Sequence, residues 1–180
     1  DSNRPVVVHI HTQKGKGYEL AEKDKDFVVV TPAMPMSVGL GPEERAKLGS
    51  QYIDTGIAEE AAVAIASGIA RRGAKPLVVT NMTFLQRAYD QISQDVCINK
   101  TPVTMLMNYS SFDGLTDVTH LGIFGLAAFT NIPNLVVLCP SSAEEYISML
   151  DWSLDSKQKE NPVLILIPGN EVSHRLTSST

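Results

Sequence analysis

A doubly wound α/β domain, with a mostly parallel sheet and helices on both faces, is what this sequence predicts. Short runs rich in Val, Leu and Ile alternate with helical patterns along the chain. Most of these runs are continuously apolar rather than alternating, as expected for strands covered on both faces. The chain has 180 residues, 43% of them hydrophobic, which is enough for one domain with a real core.

The first candidate strand is Pro5–His11, followed by a charged, glycine-broken connector, Lys14–Asp26, that separates it from the rest. Phe27–Thr31 is the next strand. A helix is then written over Ala58–Arg72, where Ala62, Ile65, Ala66 and Ile69 recur at the spacing of a buried face. Asp54, Thr55 and Gly56 are N-cap candidates, Arg71 and Arg72 fill the last turn, and Gly73 stops it. Glu59 falls in the first turn, near the positive end of the helix dipole, between Ile57 and a run of alanines that implies partial burial. A carboxyl group there reads either as a helix-starting charge or as a chemical tool.

The strand Pro76–Thr80 leads into a helix over Thr83–Val96, with Leu85, Tyr89, Ile92 and Val96 as its buried stripe. Phe84, Arg87 and Gln91 lie on another face. An aromatic ring beside a guanidinium at a strand's carboxyl end suits a flat ring and an anion. The alternative is that Phe84 is core and Arg87 pairs with Asp90 or a neighbouring chain. The strand Val103–Met107 precedes a polar stretch, Asn108 to Thr119, which delivers His120; a lone loop histidine is either structural or a proton carrier. Leu135–Cys139 and Val163–Ile167 are the last strands. Between them lies the helix Ala143–Leu154 with a capping box, Ser142 and Glu145. A polar tail follows Val172. In sheets of this type ligands bind beyond the carboxyl ends of the strands, where several of these residues fall.

Other chemistries find little support. The net charge of −5 and the lack of a Lys/Arg stripe argue against nucleic acid. No apolar run approaches the roughly 18 residues that cross a bilayer, and the opening residues lack a secretory-signal pattern, so a soluble, cytoplasmic protein is expected. Cys97 and Cys139 read as reduced core or near-core thiols. KGKG lacks the spacing of a phosphate loop, and there is no CxxC, HExxH or Gly-x-Ser-x-Gly. His9 and His11 alternate on a strand and so face opposite sides.

Four motifs carry a resemblance: GIAEEAAV (56–63), TFLQRAYDQ (83–91), DVTHLGIF (117–124) and IPNLVVLCPSSAEEY (132–146). In this order they resemble the pyrimidine-binding domain of the 1-deoxy-D-xylulose-5-phosphate synthase family, transketolase-like enzymes that use thiamin diphosphate. The opening VVVHIHTQKGKGYELAE (6–22) resembles the last strand and exit of that family's diphosphate-binding domain. The resemblance therefore implies a thiamin-diphosphate-binding fold with boundaries at 1–22, 23–175 and a tail at 176–180.

It also implies roles. Glu59 would hydrogen-bond a ring nitrogen of the cofactor's aminopyrimidine, Phe84 would stack on that ring, and Ile57 would shape the cofactor's bent form. Arg87 would bind the phosphate of glyceraldehyde 3-phosphate, and His120 and His9 would serve as active-site proton carriers. The implied reaction joins decarboxylated pyruvate to glyceraldehyde 3-phosphate, giving 1-deoxy-D-xylulose 5-phosphate, an isoprenoid and thiamine precursor, in a homodimer. The family's Gly-Asp-Gly…Asn motif, which holds magnesium and the diphosphate, is absent here, so no metal ligand is assigned and the chain is expected to be a central fragment, inactive alone.

The chain departs from the family at Ala61 (usually histidine), Thr116 (aspartate), Asn81 (tyrosine) and Pro168-Gly169, which lacks the usual intervening arginine. A transketolase-type enzyme with a different acceptor and a non-catalytic dimerisation module are the alternatives these departures leave open.

Overall fold

The structure, a computed structural model, describes residues 26–110, 119–155, 157 and 161–169. The expected strand Pro5–His11 with His9, most of the connector, Thr116 and the tail lie outside the described residues.

Six strands form one sheet: β1 Phe27–Thr31, β2 Tyr52–Asp54, β3 Lys75–Asn81, β4 Thr104–Asn108, β5 Val136–Leu138 and β6 Val163–Leu166. Their order is β2-β1-β3-β4-β6-β5, and every pairing is parallel. Strand residues alternate between two apolar layers, as a pleated strand dictates. Val30, Val78, Met105, Met107 and Leu164 belong to one layer, and Val29, Leu77, Val79, Leu106 and Ile165 to the other. Helix α2 (Glu59–Arg71), the composite helix 82–98 and α3 (Gly125–Phe129) cover the first layer. Leu48 of α1 (Pro42–Leu48) and Tyr146, Met149 and Leu150 of α4 (Ala143–Leu154) cover the second. The doubly wound α/β fold is therefore present as the apolar runs imply.

The local differences have physical reasons. Residues 52–54 are strand β2 rather than an N-cap region, and the N-cap of α2 is Ala58, with no capping side chain. Asp54 spends its carboxylate on two strand-end amides instead. The buried face of α2 is Glu59, Ala62, Val63, Ala66, Ser67 and Ala70, while Ile65 is 40% exposed. Small side chains thus let α2 lie close to the sheet.

The expected single helix 83–96 is composite: α-helical at Met82–Leu85, 3₁₀ at Gln86–Ala88, α-helical at Tyr89–Gln91 and π-helical at Ile92–Ile98. Its wide final turns keep Ile92, Val96 and Cys97 buried, and Ser67 Oγ and Asn99 Nδ2 donate to the Asp95 carbonyl oxygen. Tyr89 does not join the buried stripe. Its ring tilts against Phe129 at 5.8 Å and its hydroxyl donates to Asn131 Oδ1. Cys97 is buried, and that burial pushes its thiol up to about 11; Cys139 is exposed rather than near the core. The capping box holds in part: Ser142 Oγ accepts from the Glu145 amide, but Glu145 Oε2 accepts from Ser141, not Ser142.

Leu164 is fully buried in the layer beneath α2. Leu164→Ala should lower the unfolding free energy by about 2–5 kcal/mol. Ile147→Ala, on the exposed side of α4, should stay within about 0.5 kcal/mol. Urea denaturation of both variants checks the assignment of this layer.

Candidate active site

The chain leaves β1 for the edge strand β2, then crosses back over β1 along α2 to reach β3 on the other side. This reversal makes β1/β3 the topological switch point, where the carboxyl ends of the strands open a crevice. Glu59 and Ile57 arrive there after β2, Phe84 and Arg87 after β3, and His120 after β4.

The loop into α2 is tied down by Asp54. Its Oδ1 accepts from the Ala33 amide at 3.0 Å, just beyond β1, and from the Gly56 amide at 2.9 Å. The Tyr52 hydroxyl donates to Oδ2 at 3.1 Å, and the Thr55 amide donates to the Thr31 carbonyl oxygen. Gly56 takes a φ of 69°, which a side chain would strain. Partial burial raises the Asp54 carboxyl, but the amides of Gly56 and Ala33, the Tyr52 hydroxyl and the nearby Arg45 charge outweigh it and hold it below the usual value. The same neighbourhood, burial first and then Asp54, pushes the Tyr52 phenol up.

Ile57 projects from this loop, 80% exposed, and Glu59 opens α2 at only 2% exposure. Glu59 Oε2 is sealed from solvent and makes no hydrogen bond among the described residues. Arg87 Nη1 stands 3.3 Å from it, in ion-pair range but without hydrogen-bond geometry, and Arg87 Nε lies 3.7 Å from Glu60 Oε1. We read the contact as a Coulombic pair. Arg87 therefore faces Glu59 and Glu60, not Asp90.

One turn earlier on the same helix, the half-buried Phe84 meets His120 edge to face, with ring centroids 5.4 Å apart at 78°. His120 Nδ1 lies 2.8 Å from Thr119 Oγ1. At two positions of the segment after His120 the packing leaves no room for a side chain. A Cβ at Gly122 would overlap the Tyr109 carbonyl oxygen beyond β4, and one at Gly125 would overlap the Met82 side chain. Asn81, opposite Asn108 in the β3–β4 register, has a buried Oδ1 without a hydrogen-bond partner among the described residues.

The structure thus joins Glu59 to Arg87 and Phe84 to His120 at one edge of the sheet. Glu60 and Asp54 are contributors that sequence reasoning missed. The Glu-Glu doublet was the available signal for Glu60; the Asp-Thr-Gly triplet pointed to helix capping and so concealed the role of Asp54. Among the described residues no cluster of three or more His, Cys, Asp or Glu side chains is placed to hold a metal ion. No described helix is long and apolar enough to cross a membrane.

An all-parallel sheet with a polar cluster at its switch point defines the class of α/β ligand-binding domains. Within that class the family is clear. The model of the transketolase pyrimidine-binding domain matches residues 17–173, and the chain belongs to that family. The 1-deoxy-D-xylulose-5-phosphate synthase of Clostridium kluyveri is 35% identical, over 92% of this chain and 32% of its own. That of Desulforudis audaxviator is 33% identical, over 91% and 32%. The chain therefore spans about a third of the length of these relatives.

Among solved structures, transketolase from Leishmania mexicana superposes with a TM-score of 0.73 at 21% identity, covering 88% of this chain and 25% of its own. A split-gene transketolase, solved as an inactive β4 tetramer, superposes at 0.70 with 22% identity, covering 89% and 50%. At these identities the structural likeness speaks for the fold.

Asp54→Ala should destabilise the protein by about 1 kcal/mol at neutral pH. Because the folded carboxyl lies below its ordinary value, this contribution is present above the unfolded carboxyl's pKa. It fades as pH falls through the lowered folded one. Thermal melts of both proteins should accordingly converge in acid; a constant difference down to pH 2 would contradict the clamp.

Proposed function

We infer that this chain supplies the aminopyrimidine-binding side of a thiamin-diphosphate-dependent, transketolase-type transferase. Its proposed reaction is the decarboxylating condensation of pyruvate with glyceraldehyde 3-phosphate to 1-deoxy-D-xylulose 5-phosphate, a precursor for isoprenoid and thiamine biosynthesis. The observation that carries the reading is Glu59 Oε2, buried at the switch point and without a hydrogen bond among the described residues. A buried oxygen of this kind is suited to a ring N–H donor. Phe84, edge to face with His120, and the exposed Ile57, two residues before Glu59, supply apolar side chains at the same carboxyl edge of the sheet. The cofactor therefore fits the residues present.

Thiamin diphosphate, when bound, supplies the carbon nucleophile. Glu59 would hold a proton between Oε2 and a ring nitrogen, and so set the protonation state on which that nucleophile depends. Phe84 would orient the ring by its face and Ile57 would help shape the cofactor's bent form. His120, against the edge of Phe84, and His9, outside the described residues, would move protons near the reacting carbons. Arg87 would bind the acceptor's phosphate. Magnesium, with the diphosphate, would be held by residues other than these.

The domain boundaries at 22/23 and 175/176 belong to the same proposal, as does the status of the chain as a central piece of a longer or divided enzyme. A homodimer is supported by the exposed face of α2, where Ala61, Ala64, Ile65 and Gly68 form an uncharged stripe. A cytoplasmic location follows from the proposed metabolic role. A different acceptor is the second reading. It is favoured by Asn81, which stands where the resemblance leads one to expect tyrosine and whose buried Oδ1 has no hydrogen-bond partner among the described residues.

In the full-length protein, product should form from pyruvate and glyceraldehyde 3-phosphate only with thiamin diphosphate and magnesium. Glu59→Gln should cut the rate by about 10²-fold or more; wild-type rates would remove Glu59 from its role. Arg87→Ala should raise the acceptor's KM and leave pyruvate handling intact, and the reverse pattern would overturn the phosphate assignment.

A further inference from the structure

Arg87 stands in two places at once in the reading above: beside Glu59, where the cofactor ring would bind, and in the path of the acceptor phosphate. The structure offers a way to reconcile them. Its guanidinium faces two carboxylates, Glu59 Oε2 at 3.3 Å and Glu60 Oε1 at 3.7 Å. A cation neutralised by two anions attracts a phosphate weakly. At the same time a carboxylate as buried as Glu59 needs a compensating partner. Arg87 provides one, without hydrogen-bond geometry and with a side chain that is still 55% exposed. The pair is close enough to compensate and loose enough to open.

Resting on the thiamin reading, we propose that Arg87 is the stand-in partner of Glu59 before the cofactor binds, and that ring binding releases it to form the anion site. A ring N–H donor at Oε2 takes over the compensation that Arg87 supplied. The guanidinium then retains only its longer contact to the half-exposed Glu60 and can turn to a phosphate. Cofactor binding and phosphate binding are thereby coupled, and the coupling runs equally in both directions.

The test reads Arg87 itself rather than turnover. The full-length protein is treated with phenylglyoxal, and modification of Arg87 is quantified by peptide mass spectrometry, with the exposed Arg71 and Arg72 as internal references. Wild type without cofactor should react slowly at Arg87. Addition of thiamin diphosphate with magnesium should raise its rate about 5-fold or more, and glycerol 3-phosphate should then protect it. Glu59→Gln should show the fast rate with no cofactor present, and Glu60→Gln a smaller rise. Circular dichroism confirms that each variant is folded.

A slow Arg87 in folded Glu59→Gln overturns the proposal. So does an unchanged wild-type rate when calorimetry shows thiamin diphosphate bound. Absence of calorimetric binding places the failure in the thiamin reading instead.

Discussion

The site depends on one electrostatic constraint: a carboxylate sealed at the carboxyl edge of a parallel sheet must be compensated. Glu59 is 2% exposed, and an uncompensated charge at that depth would cost several kcal/mol. The fold meets the need from two directions. Position one of α2 puts the carboxylate at the positive end of a helix dipole, and the neighbouring composite helix extends Arg87 to 3.3 Å. Both supports exist only because α2 crosses back over β1, so that the ends of β2 and β3 deliver their helices side by side.

Precision around that carboxylate comes from the backbone as much as from side chains. Asp54 joins the end of β1 to the turn before Glu59, and the close packing at Gly122 and Gly125 holds the His120 segment against β4 and Met82. Phe84 and Arg87, three residues apart on one helix, then face two neighbours, His120 on one side and the Glu59–Glu60 pair on the other. The aromatic ring of Phe84 and the guanidinium that compensates the buried Glu59 thus lie one turn apart on the same helix.

Most of the sheet was legible because fully buried parallel strands leave continuous apolar runs, and five of the six described strands coincide with such runs to within a residue or two at each end. Strand β2 was not legible: with only three residues and a polar end, its Asp54 imitates a helix cap. The short helices Pro42–Leu48 and Gly125–Phe129 also passed unread, although proline at the start and two glutamates in the first turn mark the former. The π-helical end of the composite helix has no counterpart in a simple helical period. At the site, Glu59, Phe84, Arg87 and His120 could be listed from motifs, but their pairing could not. That Arg87 lies against Glu59 depends on the crossover geometry, to which local spacing is blind.

The central claim, that the buried Glu59 carboxyl group exists to meet a thiamin ring, is tested most directly by a crystal structure of the full-length protein with thiamin diphosphate and magnesium bound. The account predicts a Glu59 carboxyl oxygen about 2.7–3.0 Å from a nitrogen of the aminopyrimidine, the face of Phe84 against that ring, and Arg87 turned away. A bound cofactor whose ring lies elsewhere, with Arg87 still on Glu59, would contradict it.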